Sequence, residues 1–218
     1  MKNQNLTLSA IAAALLLATS VNNVYAAGAV ATTCTPATYA AAGFSLIFKD
    51  CNGTVAKYHD KTECVRDNAT GLIWQGHMPA KSKHIRANDQ YKTNFNSTAG
   101  NQNSNAGSPI PATQAQINAA NNAIGFQNAI NASKLCGLSA WRIPTVEELK
   151  TIVKGTKATA IDNNWFPNTP PTWYWTSSPH HNTDDYAWSV YFLNGDANYV
   201  GRDQGLSFFD SLVRLVHD

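Results

Sequence analysis

The spacing of apolar and polar positions first predicts a short helix with a well-defined start. Pro144 favours an extended residue before it, and Thr145 followed three positions later by Glu148 matches a capping box. The helix is therefore predicted to begin at Val146, and Gly155 is predicted to end it. The apolar positions that share its buried face are Val146, Leu149, Ile152 and Val153.

A longer helix is predicted over 115–136, where apolar residues recur at helical spacing. Gly125 marks a break within it, and Gly137 ends it. The predicted strands are short apolar or alternating runs at 44–48, 63–67, 72–75, 173–178, 186–192, 198–200 and 211–216. The second and third strands form a hairpin around a four-residue turn, and Asn194-Gly195 is a hairpin turn signal in the aromatic last third of the chain.

One stretch lacks this periodicity. Residues 94–107, inside a low-complexity region at about 76–112, are nearly free of large apolar groups. Such a stretch buries too little surface to offset the entropy of ordering it, so a mobile surface loop is predicted. It is interpreted either as a tolerated insertion or as a loop that grips a ligand.

The N-terminus carries the features of an export signal. Lys2 precedes an apolar run, and Val24-Tyr25-Ala26 offers small residues where signal peptidase reads, so 1–26 are expected to be a signal peptide. No later run approaches the ~20 apolar residues of a membrane span. We expect an N-terminal extension at 27–62, a domain at 63–218, and a secreted, periplasmic or cell-surface location.

Four cysteines follow the signal segment. An exported chain meets oxidising conditions, so two disulfides are expected, with three possible pairings. The interpretation we favour pairs Cys34 with Cys51, which would staple a loop-rich N-terminus, and Cys64 with Cys136, which would tie a strand to the main helix. Their spacing does not match a zinc module.

Charge is distributed unevenly. Residues 27–157 carry 13 Lys and Arg against 7 Asp and Glu, whereas 158–218 carry 2 against 7. A polarised surface is therefore predicted. The basic residues form neither a basic helix nor a basic-aromatic motif, so nucleic acid is not a predicted partner.

Large apolar side chains are assigned to the core because a domain of this size needs them as anchors. These predicted core residues are Trp74, Trp141, Tyr174, Trp175, Trp188 and Leu215. Arg142 and Arg214 lie among apolar residues, and each is predicted to pair with an acidic group such as Glu148 or Asp67.

Five motifs in order resemble one family. They are TGLIWQ (70–75), WRIPTVEEL (141–149), YWTSS (174–178), AWSVYFLNG (187–195) and VRLV (213–216). The chain resembles the C-terminal domain family of Legionella collagen-like proteins. The resemblance implies an α+β, C-type lectin-like domain, loop-rich, with two helices and a twisted, mainly antiparallel sheet. It also implies binding rather than catalysis, since some members bind sulfated polysaccharides and form trimers. The collagen-like repeats of the namesake are absent here.

A recognition surface is predicted on the C-terminal loops, because loops on a rigid sheet commonly carry binding residues. The candidates are His180, His181, Asp184, Asp185, Tyr186, Asn198, Tyr199, Arg202, Asp203, Gln204 and Phe209. An alternative site for an anionic ligand consists of Lys81, Lys83, Arg86, Lys150, Lys154 and Lys157. Residues 180–185 suit either a metal or, as we favour, a solvated turn. No cofactor is predicted; calcium stays an option, although the lectin tripeptides EPN and QPD are missing.

Catalysis is not predicted. Ser177 and Ser178 lack a Gly-x-Ser-x-Gly elbow, and disulfide formation would leave no catalytic thiol. The function expected is an exported adhesin-type domain that recognises carbohydrate or another surface ligand. Two other functions remain open: a receptor diversified by a retroelement, and a structural subunit of a surface assembly.

Overall fold

The computed structural model describes residues 34–100, 102, 110–153, 160–203 and 211–218. The predicted signal peptide lies outside these residues, as do Gly155, Lys154, Lys157, Gln204 and Phe209. Within the described part, no helix is long and apolar enough to cross a membrane.

One four-stranded antiparallel sheet joins the two ends of the described chain. It consists of β1 (Phe44–Leu46), β4 (Cys64–Asp67), β5 (Ile73–Gln75) and β10 (Val216–His217), in the order β1-β4-β5-β10. The predicted hairpin is confirmed, since β4 pairs with β5 and places Val65 opposite Trp74. Gly71 supplies the positive φ of +80° that the turn requires.

The predicted strand at 44–48 is wrong as a single element. The chain leaves β1 at Leu46 and starts β2 (Phe48–Asn52), which pairs with β3 (Val55–Tyr58) in a separate two-stranded sheet. Ile47, between them, is buried in the core, and its carbonyl accepts a hydrogen bond from the His59 N–H at 2.8 Å. The run at 44–48 therefore contains the end of a strand in one sheet and the start of a strand in another.

The second four-stranded sheet carries the C-terminal motifs. It consists of β6 (Trp173–Pro179), β7 (Tyr186–Tyr191), β8 (Ala197–Gly201) and β9 (Ser211–Leu212), in the order β8-β7-β6-β9. The turn at Asn194-Gly195 is confirmed: Gly195 has a φ of +84°, and β7 pairs with β8. The predicted strand at 211–216 is wrong, because β9 and β10 belong to different sheets and Val213 to Leu215 crosses between them.

The predicted long helix is two helices, α1 (Gln114–Asn118) and α2 (Ala123–Ser133), followed by a 3-10 turn at Leu135–Gly137. The break covers residues 119–122, before Gly125, and Asn122 is the N-cap of α2. The Asn122 amide accepts from the Phe95 N–H at 2.8 Å and donates to the Phe95 carbonyl at 3.0 Å. Gly125 lies inside α2, where a Cβ would collide with the carbonyl oxygen of Ala119.

The short third helix begins as predicted. Helix α3 spans Val146–Thr151, and both bonds of the Thr145–Glu148 capping box are present. It ends at Thr151, so Val153 does not continue its apolar face; Val153 instead forms a β-bridge with Ile161.

Two hydrophobic cores lie on opposite faces of the β8-β7-β6-β9 sheet. Neighbouring residues of β6 point to different cores: Trp175 packs with residues of α2, and Tyr174 packs with Leu149 of α3. The core assignments are confirmed for Trp74, Trp141, Tyr174, Trp175 and Leu215, which are fully buried. The assignment of Trp188 is wrong, because this side chain is only half-buried.

Both favoured disulfides are confirmed. Cys34 pairs with Cys51 within the N-terminal extension, and Cys64 of β4 pairs with Cys136 just after α2. The second bridge lies in the core beneath α2, where both cysteines are buried.

The stretch after residue 94 is a loop, and the prediction that it lies on the surface holds for only part of its described residues, since Ser97, Thr98 and Gly100 are exposed. Asn94, Phe95, Ala99 and Gln102 are all buried. The Gln102 side chain donates to the carbonyl oxygens of Asn96 and Ala99 at 2.6 and 2.8 Å. Amide side chains thus order this polar segment in place of large apolar groups.

Candidate functional site

Four aromatic side chains gather on one face of the β8-β7-β6-β9 sheet. We call this group the aromatic cluster; it consists of His180, Tyr186, Trp188 and Tyr199. Tyr199 of β8 lies directly opposite Trp188 of β7, and their rings meet edge to face at 6.1 Å. Tyr186, two residues before Trp188 and therefore on the same face, contacts Tyr199 edge to face at 5.6 Å. The His180 ring completes the cluster at 4.6 Å from the Tyr199 ring.

The cluster is open, although the same sheet face is covered further along β7. Val190, two residues beyond Trp188, is fully buried in the core with Leu149 of α3. Tyr199, by contrast, is 49% exposed. The same sheet face therefore changes from core to accessible aromatic surface along β7.

The loop between β6 and β7 borders the cluster. Residues 180–185 line an open pocket of about 460 Å³. The His180 and His181 rings lie 4.7 Å apart, and His180 Nδ1 lies 3.2 Å from the Thr183 hydroxyl. The Asp184 carboxylate accepts a hydrogen bond from the Gly100 N–H at 2.9 Å. The loop is thus held against the segment after residue 94.

The metal interpretation of this loop receives no geometric support. In the described ranges, the group whose ligand atoms come close enough for a metal is His59 with Cys64 and Cys136. Both of these sulfurs are already in a disulfide. The six residues 180–185 do not form such a group.

Arg202 is buried, contrary to its predicted place on an exposed recognition surface. The side chain is 2% exposed; its Nε donates to the Asp184 carbonyl at 2.8 Å, and its Nη1 donates to the Asn94 carbonyl at 3.0 Å. Burial lowers its pKa, although it remains a cation. Arg202 therefore positions the loop that borders the cluster.

The other predicted loop residues differ in accessibility. Asn198 is exposed, and its side-chain oxygen accepts from the Tyr199 N–H at 2.9 Å. Asp185 and Asp203 are half-buried, whereas His181 and Asp184 are exposed. The structure thus brings together His180, Tyr186 and Tyr199 from the predicted set and adds Trp188, which the sequence interpretation assigned to the core.

The alternative basic site loses one of its members. Arg86 is 5% exposed and donates to the carbonyl oxygens of Thr62 and Gly76, so its assignment to a surface site is wrong. Lys81, Lys83 and Lys150 are exposed. They remain available to an anionic ligand.

The two arginines that lie among apolar residues behave differently. The predicted pair of Arg142 with Glu148 is confirmed at 2.6 Å, and Asp218 adds a second contact at 2.5 Å. Hydrogen bonding to Arg142 lowers the pKa of Glu148 to about 2. The predicted acidic partner of Arg214 is wrong, because this buried guanidinium donates to the Gln75 carbonyl and the Thr169 hydroxyl.

Comparison with known proteins gives one match. The family model described as Lcl C-terminal domain matches residues 63–217. Searches of curated proteins and of solved structures find no match. The relation to C-type lectin-like folds and the trimeric state therefore stay predictions, whereas the loop-rich α+β architecture is observed directly. This family suggests a surface or adhesin-like domain, and its model covers well over half of the chain, so the protein belongs to the Lcl C-terminal domain family.

Proposed function

We propose that this protein is an exported, non-catalytic adhesin-type domain that binds carbohydrate at the aromatic cluster. The observation that carries the proposal is the open arrangement of Tyr186, Trp188 and Tyr199 on a rigid sheet. The two disulfides are compatible with an extracellular protein.

The chemistry of the cluster suits a saccharide. Aromatic faces pack against the C–H groups of a sugar ring, and polar side chains beside them exchange hydrogen bonds with its hydroxyls. His181, Asn198 and Asp184 are exposed next to the cluster and provide such polar groups. The rings contact one another and are carried on the paired strands β7 and β8, so binding costs little conformational entropy.

A glycan array of the mature protein, with and without calcium, tests this function. We expect at least one saccharide to be retained in both conditions. The ligand is then titrated against Tyr199→Ala and against Tyr91→Ala, a control tyrosine that is 37% exposed and outside the cluster. A stacking ring contributes about 1–2 kcal/mol to binding, so Tyr199→Ala should bind about tenfold more weakly and Tyr91→Ala should bind like the wild type.

Two results would contradict the proposal. One is an array with no retained saccharide. The other is a saccharide whose affinity falls equally in the Tyr199 and Tyr91 variants while both proteins melt like the wild type.

A further inference from the structure

Four basic side chains are buried near one another, and among the described residues no carboxylate forms an ion pair with them. They are His77, Arg86, Lys92 and Arg214, which are 2%, 5%, 5% and 0% exposed. The ion pairs found among the described residues involve other basic groups. Glu63 acts on Arg86 only from beyond ion-pair distance. Burial lowers the pKa of His77 well below its ordinary value, so this ring carries no charge at neutral pH. Arg86, Lys92 and Arg214 remain cations, and buried charges are expensive unless they are paired, so these three call for a compensating negative charge.

A small cavity lies among three of these side chains. Its volume is about 10 Å³, the space of one water-sized particle, and its walls include His77, Arg86 and Lys92. The Lys92 ammonium stands 5.6 Å from the centre of the Phe126 ring, which lines the same cavity. The exposed Gln90 is also part of the wall, so an ion has a route from solvent.

Two nitrogen atoms of the wall residues are buried without a hydrogen-bond partner. They are Nε of Arg86 and Nε2 of His77. The other His77 nitrogen, Nδ1, lies 3.4 Å from the Arg86 carbonyl oxygen and is therefore the donor of that bond. Arg86 uses Nη1 for two carbonyl oxygens, which leaves Nε unused. Because Nδ1 carries the proton of the neutral ring, His77 Nε2 is an acceptor, and Arg86 Nε is the orphaned donor. Orphaned buried donors of this kind are rare in native proteins.

We propose that this cavity binds a monatomic anion, with chloride as the physiological ion. The anion would accept from Arg86 Nε and from the Lys92 ammonium, and it would supply a negative charge for the cations Arg86, Lys92 and Arg214. The size of the cavity excludes polyatomic anions such as sulfate and phosphate. A single water could fill the same space, but it would leave the charge uncompensated.

Binding to the folded state alone raises thermal stability with ligand concentration, which gives the first test. The mature protein is melted in sodium chloride and in sodium gluconate at equal ionic strength. We expect the melting temperature to rise with chloride concentration until the site is saturated. We also expect the protein to broaden the chloride NMR signal. Sulfate also raises the melting temperature of proteins in general. Its effect on the wild type should therefore be no larger than its effect on the Lys92→Met variant, which lacks the site. A melting temperature that is the same in chloride and gluconate would overturn the proposal.

Two variants locate the effect. Lys92→Met removes an unpaired buried charge, so in gluconate it should melt above the wild type, and in chloride this advantage should shrink or reverse. Its chloride dependence and line broadening should be lost. Lys150→Met, an exposed lysine on α3, is the control and should keep both. Equal loss in the two variants would contradict a site at Lys92.

A third variant separates a bound ion from a carboxylate of the chain itself. Asp210 precedes Ser211, whose carbonyl accepts from the Lys92 N–H, and it lies outside the described residues. With a bound anion, Asp210→Asn should leave the chloride dependence unchanged. If chloride dependence is absent in the wild type and arises only in Asp210→Asn, the chain supplies its own counter-charge and the proposal is wrong.

Discussion

Replacing Glu148 with glutamine tests the ion pair at the start of α3. The Glu148 carboxylate accepts from both terminal nitrogens of Arg142, at 2.8 and 2.6 Å, and from the Thr145 N–H at 2.8 Å. A glutamine side chain would keep one oxygen for the Thr145 N–H, so the helix cap survives. Its amide has no charge to hold Arg142. The substitution therefore removes the charge pairing and leaves the helix start in place.

The magnitude follows from the pKa of Glu148, which Arg142 lowers from 4.5 to about 2. A shift of this size corresponds to about 3 kcal/mol as an upper limit. The two side chains are 34% and 24% exposed, so water screens part of the attraction. We expect Glu148→Gln to lower the free energy of unfolding by about 1–2 kcal/mol at neutral pH.

The dependence on pH has a definite sign. The pKa of Glu148 is lower in the folded state, so its contribution is complete above about pH 4.5 and is lost as the pH falls towards about 2. Urea unfolding of wild type and Glu148→Gln at a series of pH values should show a gap that closes across this range. Glu147→Gln, an exposed glutamate in the same first turn, is the matched control and should change stability by under about 0.5 kcal/mol. A gap that persists at the lowest pH, or an equal loss in both variants, would refute the ion-pair argument.

Three further predictions concern stability. Removing the Cys64–Cys136 bridge by paired Ser substitutions should cost about 4 kcal/mol, because this bridge closes a loop of 72 residues. Removing Cys34–Cys51, which closes a loop of 17 residues, should cost about 3 kcal/mol, and chemical denaturation of both variants tests this order. Gly125→Ala should cost about 1–3 kcal/mol, because its Cβ would collide with backbone atoms that cannot move aside, and a thermal melt equal to wild type would contradict this. Arg202→Ala should cost about 2–3 kcal/mol, because it leaves two carbonyl oxygens without a donor; a variant that loses ligand binding at full stability would instead make Arg202 a contact residue.

Local sequence signals predicted several parts of the fold correctly. The Thr145–Glu148 box needs only residues three apart, and the start of α3 follows from it. A second capping box, formed by Thr113 and Gln116, starts α1. Its T-x-x-Q pattern is an equally local signal for a helix start, but the prediction of one long helix did not use it. The hairpins of β4 with β5 and of β7 with β8 were also accessible, because their turn residues lie between the paired strands.

Features set by distant partners could not be predicted in this way. The break before α2 depends on Asn122 binding Phe95, which is 27 residues away, and the burial of Arg202 depends on Asn94, which is 108 residues away. Neither contact leaves a periodic trace in the sequence. Alternation along β7 did not reveal the half-buried state of Trp188 either, because Trp188 shares one face of the strand with Val190, which is fully buried.

The most direct test of the account compares the aromatic cluster with the exposed lysines for a saccharide identified on the array. Its affinity is measured for wild type, Tyr199→Ala and the double variant Lys81→Ala, Lys83→Ala, at low and at physiological salt. We predict about tenfold weaker binding for Tyr199→Ala, no change for the double variant, and little response to salt, because stacking is not screened by ions. Loss of binding in the double variant, an unchanged Tyr199→Ala, and a steep fall in affinity with salt would place recognition on the basic surface and contradict the account.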